Sequence, residues 1–194
     1  MTRLGWILLL AFALVIGGFA LMVRKGGDGT NAPTTTAQVA PAAAALPAGG
    51  GLIIPVAGIA PTQLTDTWGE ARGDGTRQHH AIDILAPRGT PVLAAASGIV
   101  EKIFESRNGG HTVYVRRTDS SWQDYYAHLD SYAPDLREGI AVKQGQQIGA
   151  VGSTGDADPV APHLHYEIHR MAPGDGWWKG SEVNPYPILK SLHG

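Results

Sequence analysis

Between Leu52 and Leu192 the apolar runs are short, and glycine, proline or asparagine interrupts them repeatedly. They read GLIIPV, HHAIDILAP, TPVLAAA, GIVEKIFE, HTVYVRR, DYYAHL, QIGAVG and HLHYEIH. Several alternate with a period of two, the mark of a half-buried strand. Ile99, Glu101 and Ile103 oppose Val100, Lys102 and Phe104, while Val113 and Val115 oppose Tyr114 and Arg116. No segment keeps a 3.6-residue period over three turns. The expected fold is therefore all-β: an antiparallel β-sandwich or partly open barrel with long decorated loops. Residues 52–194 are enough for one sizeable core.

Charge and cysteine content remove several classes of function. Fifteen Lys and Arg stand against seventeen Asp and Glu, a formal net charge of −2, so the excess basic footprint of a nucleic-acid binder is missing. Cysteine is absent, which excludes a disulfide scaffold, thiolate zinc sites, Fe–S clusters and a cysteine nucleophile.

Ahead of this domain lie two segments of different composition. Leu4 to Val23 is an uncharged, mostly apolar run between Arg3 and Arg24-Lys25. As a helix it would cover ~30 Å, the hydrocarbon thickness of a bilayer. Residues 1–25 are thus expected to form an N-terminal membrane anchor with one transmembrane helix. The alternative is a cleaved signal peptide, with an apolar stretch from Trp6 to Ile16 and Gly18-Phe19-Ala20 as the cleavage site. The continuation of the run to a basic stop favours the anchor. Arg3 and the amino terminus balance Arg24 and Lys25, so flanking charge does not orient the span. Residues 26–51, rich in Gly, Ala, Pro and Thr and almost uncharged, read as a flexible linker.

Three segments of the domain carry metal-binding chemistry: RQHHAID, with His79 four residues before Asp83; YYAHLD, with His128; and APHLHYEI, with His163 and His165. On an extended strand, residues two or four apart share a face, so His163 and His165 pair, as do His79 and Asp83. Two imidazoles and a carboxylate make a catalytic zinc set with a fourth position left for water. Histidines outside that set are suited to orienting the water and stabilising an oxyanion.

These segments and those between them resemble the zinc peptidases of the lysostaphin and LytM type, peptidase family M23. RQHHAIDILAPRGTPVLAAASGIV is similar to the block in which an Arg precedes His-x-Gly-x-Asp and Gly-Thr-Pro-Val-x-Ala follows. YYAHLD resembles the Tyr-x-His-Leu segment, VKQGQQIGAVGSTG the Gly-Gln-x-Ile-Gly-x-x-Gly-x-Thr-Gly block, and APHLHYEI the Pro-His-Leu-His strand. EVNPYPIL is similar to the Asn-Pro that often ends such domains. The resemblance runs in consistent order from Trp68 to Leu189.

What the resemblance implies is specific. The fold would be of the LytM, or duplicated hybrid motif, type. His79, Asp83 and His165 would hold one Zn2+ per domain, with His128 and His163 as the non-ligand catalytic histidines. The spacing to Asp83 selects His79 rather than His80, and Ala81 stands where the family has Gly. The implied function is zinc-dependent peptidoglycan endopeptidase activity on peptide cross-links of the bacterial cell wall. The alternative is a non-catalytic LytM-type module that binds and activates cell-wall amidases; such modules typically lose ligands. Zinc D,D-carboxypeptidases of another family use a longer His-to-Asp spacing. The implied partners are peptidoglycan peptide stems and, through the N-terminal helix, the cytoplasmic membrane; the linker also suits regulation by a cell-envelope protein. The expected location is the cell inner membrane, single-pass, with the domain on the periplasmic side, or the periplasm or exterior after signal cleavage.

The remaining candidates have lesser expected roles. Glu167 shares the His165 face and is a candidate partner of that imidazole. Arg77 is divided between substrate contact and a structural ion pair. Tyr125, Tyr126 and the Trp177-Trp178 pair are assigned to core or rim, an exposed Trp pair being also suited to line a groove. His111, His169 and His193 are read as ordinary surface or hydrogen-bonded histidines.

Overall fold

In the computed structural model, which describes residues 51–73 and 75–192, the alternating segments form antiparallel strands. In chain order these are β1 (Ala71–Arg72), β2 (Arg77–Gln78), β3 (Ile82–Leu85), β4 (Pro91–Leu93), β5 (Gly98–Ser106) and β6 (Gly110–Arg117). They continue with β7 (Trp122–Tyr132), β8 (Ala141–Val142), β9 (Gln147–Val151), β10 (His163–Arg170) and β11 (Ser181–Val183). A six-residue helix, α1 (Pro185–Lys190), follows. The predicted membrane helix at Leu4–Val23, nearly all of the linker and His193 lie outside the described residues.

β1 and β2 make a small hairpin of their own, and the other nine strands share one sheet whose longest path runs β11-β10-β7-β6-β5-β8. The path does not close, so the described residues are mostly β and antiparallel, with no closed barrel among them. β10 is the hub: β7 pairs along one of its edges, while β3 and then β11 pair along the other. β7 in turn leaves β10 after Ala127 and pairs β9 from Leu129 onward.

One face of the sheet builds the core. Leu164, Tyr166 and Ile168 of β10 meet Tyr126 of β7, Val113 and Val115 of β6, and Ile82 and Ile84 of β3, all essentially inaccessible to solvent. The opposite face carries His165, Glu167, His169, Tyr125, Tyr114 and Arg116, because successive side chains on a strand point to opposite sides. Asp124 breaks the apolar rule inside the core. It is fully buried, paired with Arg117 through two bonds of 2.9 and 2.5 Å, and accepts the Tyr166 hydroxyl at 2.7 Å.

Two bulges depart from simple alternation. In β5 the pairing with β6 slips between Val100 and Lys102, leaving Glu101 as the extra residue. Consequently Ile103 packs on the core while Ile99 is exposed, so these two do not share a face as the alternation predicts. In β7 the slip falls between Tyr126 and Leu129, and His128 there has φ of 59°. That conformation is uncommon outside glycine, and bulges next to functional sites commonly redirect a side chain. At the C-terminus, Asn184 accepts the Tyr186 amide at 2.9 Å and Pro185 starts α1, whose Leu189 joins the core.

Candidate metal centre

Three donor atoms converge on the outer face of β10. His79 follows β2, Asp83 lies in β3 and His165 in β10, and the pairing places Asp83 directly opposite His165. His79 Nε2 lies 3.0 Å from Asp83 Oδ1 and 3.0 Å from His165 Nδ1, and His165 Nδ1 lies 3.2 Å from Asp83 Oδ1. Tetrahedral zinc with ligand bonds of ~2.0–2.1 Å separates its donors by roughly 3.3 Å. The triangle therefore fits a zinc ion, and two imidazoles with one carboxylate suit zinc better than the all-oxygen shells of magnesium or calcium.

Each donor is oriented from outside the triangle. A carbonyl oxygen only accepts, so His79 Nδ1 donates to Thr67 O at 2.8 Å and leaves Nε2 bare. The Thr67 hydroxyl also accepts the Asp83 amide at 3.0 Å. Arg72 donates to Asp83 Oδ2 at 2.5 Å, which leaves Oδ1 for the histidines. His165 Nε2 meets Glu167 Oε1 at 2.8 Å, and Glu167 Oε2 receives His169 Nε2 at 2.5 Å. A carboxylate behind a ligating imidazole fixes its ring and raises its basicity.

The electrostatics follow from these contacts. Burial opposes the charge on Asp83, but hydrogen bonds from His165 and His79 outweigh it and hold the carboxyl well below the usual range. Burial also works against a charged His165, yet the carboxylates of Asp83 and Glu167 push its pKa up to about 9. Glu167 resists burial in the same way and is held at about 2 by His165 and His169.

His128 and His163 stand beside this triangle. His128 donates Nδ1–H to Thr154 O, and His163 donates Nδ1–H to Ala161 O, both at 2.8 Å. Each thus keeps a bare Nε2. The His128 ring lies 5.0 Å from that of His163 and 5.5 Å from that of His165. His163 Nε2 is 3.8 Å from Asp83 Oδ1. Burial, reinforced by the positive charge of His165, lowers His128 to about 4 and keeps it neutral at physiological pH. The five residues expected from the sequence are all brought together.

His80 is not among them: its ring is about half exposed and stacks on Trp68 at 5.3 Å. The triangle opens into a cleft of about 590 Å³ whose lining includes Arg72, Arg77, Tyr125, Asp156 and Glu182. Arg77 reaches Asp156 at 3.3 Å, an exposed ion pair at the cleft. His169, read from the sequence as ordinary, touches the site through Glu167. Sequence reasoning missed Arg72, Thr67 and Thr154. Thr154 was visible only as part of the VGSTG block; its carbonyl holds His128, and its hydroxyl donates to Leu129 O at 2.8 Å.

Comparison with known proteins identifies a family. The model of Peptidase family M23 matches residues 77–185. The L-Ala--D-Glu endopeptidase of Bacillus subtilis is 37% identical over 131 residues, covering 64% of this chain and 39% of that protein. The DD-carboxypeptidase/endopeptidase Mpg of Neisseria meningitidis is 43% identical over 114 residues, 58% of this chain and 23% of its own length. The chain thus spans less than half the length of these curated relatives. Among solved structures, the catalytic domain of the antimicrobial peptidase lysostaphin from Staphylococcus simulans aligns with a TM-score of 0.55 and 30% identity, over 66% of this chain and 92% of that one.

Proposed function

The chain belongs to peptidase family M23, and on that footing we propose that it is a zinc-dependent peptidoglycan endopeptidase cutting peptide cross-links of the bacterial cell wall. The observation that carries the reading is the convergence of His79 Nε2, Asp83 Oδ1 and His165 Nδ1, with the bare Nε2 atoms of His128 and His163 beside them. The relatives, an L-Ala--D-Glu endopeptidase and a DD-carboxypeptidase/endopeptidase, support the substrate class.

His79, Asp83 and His165 are the residues that would hold the metal. Bound there, zinc supplies Lewis acidity toward a carbonyl and lowers the pKa of a coordinated water to ~7. The protein's own groups handle the protons. His128, neutral and bare at Nε2, takes a proton from the attacking water and returns it to the departing amine. Thr154 O keeps its proton on Nδ1 and its ring in place. His163, held by Ala161 O, steadies the charge that develops on the carbonyl oxygen. Arg72 and Glu167 keep the donors aimed. All five side chains being present and convergent supports catalysis over the amidase-activating alternative. Leu4–Val23 is proposed to anchor the domain on the periplasmic face of the inner membrane, residues 26–51 serving as tether to residues 52–194.

Incubation of the full chain with purified sacculi, with and without chelator, tests the reading. Mass analysis should find new amino termini within cross-linked stems, lost with chelator and restored by zinc. An intact glycan and peptide mesh in the presence of zinc would overturn it. Intact mass of membrane-extracted protein tests the anchor; a mature N-terminus near Leu21 would refute it.

A further inference from the structure

A row of aromatic rings runs from the metal centre across the sheet. Register places Tyr125 of β7 opposite Glu167 of β10, Tyr114 of β6 opposite Tyr125, and Phe104 of β5 opposite Thr112 of β6. These side chains share the face that carries His165. The ring of Tyr125 lies 6.0 Å from that of His165, and Tyr114 lies 4.5 Å from Tyr125. The segment linking β10 to β11 then adds two more rings. Trp177 sits 5.1 Å from Tyr114 and 5.5 Å from Phe104, and Trp178 stands edge-on to Trp177 at 5.7 Å.

Packing explains the inner rings but not the outer ones. Trp177 anchors its segment on the sheet, helped by Arg116, which donates to Asp175 O at 3.0 Å. Trp178 is 67% exposed and Phe104 42% exposed. An exposed apolar patch contiguous with a cleft marks a binding surface. A Cβ on Gly176 would stand 2.6 Å from the Trp178 ring, so the indole rests directly on that glycine. The same segment lines an open groove of about 580 Å³ that includes Arg170, Asp175, Lys179 and Ser181.

We infer that Phe104, Trp177 and Trp178 form a glycan subsite, stacking on sugar rings of the strand from which the cleaved peptide hangs. The inference rests on the peptidoglycan reading above and names a second part of the same substrate. A pyranose presents a flat C–H face and a rim of hydroxyls. Exposed aromatic faces take the first, and charged groups of the segment that carries the Trp pair, Asp175 and Lys179, take the second. Continuity through Tyr114 and Tyr125 selects this occupant, because a stem peptide held at the metal centre keeps its own glycan close by. Trp177-Trp178 therefore contributes to choosing cross-links that are still attached to glycan.

Trp178→Ala and Phe104→Ala test the subsite, since both residues are exposed and thermal unfolding should stay unchanged. The readout is the ratio of kcat/KM for a cross-linked muropeptide bearing its sugars to that for the same peptide stripped of them. Trp178→Ala should lower this ratio about tenfold, through KM. An unchanged ratio overturns the inference. A second measurement does not depend on peptidase activity: tryptophan fluorescence of the full chain titrated with N-acetylglucosamine oligomers. The wild-type chain should show a saturable change that Trp178→Ala reduces, and absence of saturation in the wild type counts against the subsite. A chain that binds the oligomers but cuts neither peptide keeps the subsite and loses the endopeptidase reading.

Discussion

Glu167→Gln isolates the carboxylate behind the metal centre, because the amide keeps the shape and removes only the charge. In the wild-type chain, Glu167 accepts one bond from His165 Nε2 at 2.8 Å and one from His169 Nε2 at 2.5 Å. A glutamine still accepts from His165 through its oxygen but turns an N–H toward His169. His169 must then carry its proton on Nδ1, an atom that is buried and has no hydrogen-bond partner. A bond to a charged group contributes ~1.5–3 kcal/mol and a neutral one ~0.5–1.5, so losing charge at two bonds costs roughly 2 kcal/mol. Those bonds are present before the metal binds, so this is a cost in stability, about thirtyfold in the folding equilibrium. Zinc affinity should fall ~10–100-fold, as is usual when the partner of a ligating histidine is changed. Competition with a chelator of known affinity reads the zinc Kd directly. A Glu167→Gln protein that binds zinc within about threefold of wild type would refute the reasoning, as the carboxylate would then contribute nothing to the ligand it touches.

The other predictions concern the ligands, protons and core. His79→Ala, Asp83→Ala and His165→Ala should each abolish most zinc binding by metal analysis. His128→Ala and His163→Ala should keep zinc and lose ~10²–10⁴-fold in kcat; His80→Ala should keep both. In chelator-treated protein His165 titrates near 9, above the ordinary imidazole value, so its contribution to stability is complete below ~6.5 and is lost as pH rises through about 9. Zinc addition at neutral pH should therefore release close to one proton, measurable by calorimetry in buffers of different ionisation enthalpy, and a buffer-independent heat would contradict this. Arg117→Met leaves the fully buried Asp124 without its cation. It should cost ~3–5 kcal/mol and lower Tm by on the order of 10 °C by scanning calorimetry.

Period-two alternation was enough to expect an antiparallel β domain, and the His-x-x-x-Asp and His-x-His spacings marked four candidate side chains; His128 and the division of roles were implied by the resemblance to family M23. The spacing argument for His79 over His80 agrees with the geometry, even though His79 lies just outside a strand. What escaped was set by contacts distant in sequence. Thr67, Arg72 and Thr154 have no local signature as supports; each acts by meeting a residue that the fold brings alongside. The bulges at Glu101 and His128 depend on how β6 registers against its neighbours, which alternation within a single strand does not encode. Helix α1 did carry a signal, an Asn cap followed by Pro at the first helical position, but its six residues are too few for a period to appear.

The central claim is that one zinc held by His79, Asp83 and His165 makes this chain a cross-link hydrolase. Stepwise titration of zinc into the chelator-treated full chain, with cleavage of a soluble cross-linked muropeptide followed by mass in the same samples, tests it most directly. Activity should rise in proportion to bound metal, reach its plateau at one equivalent, and release a free amine from the cross-link; Asp83→Ala should stay flat throughout. Cleavage that is complete before zinc is added, or a fully loaded protein that leaves the cross-link intact, would contradict the account.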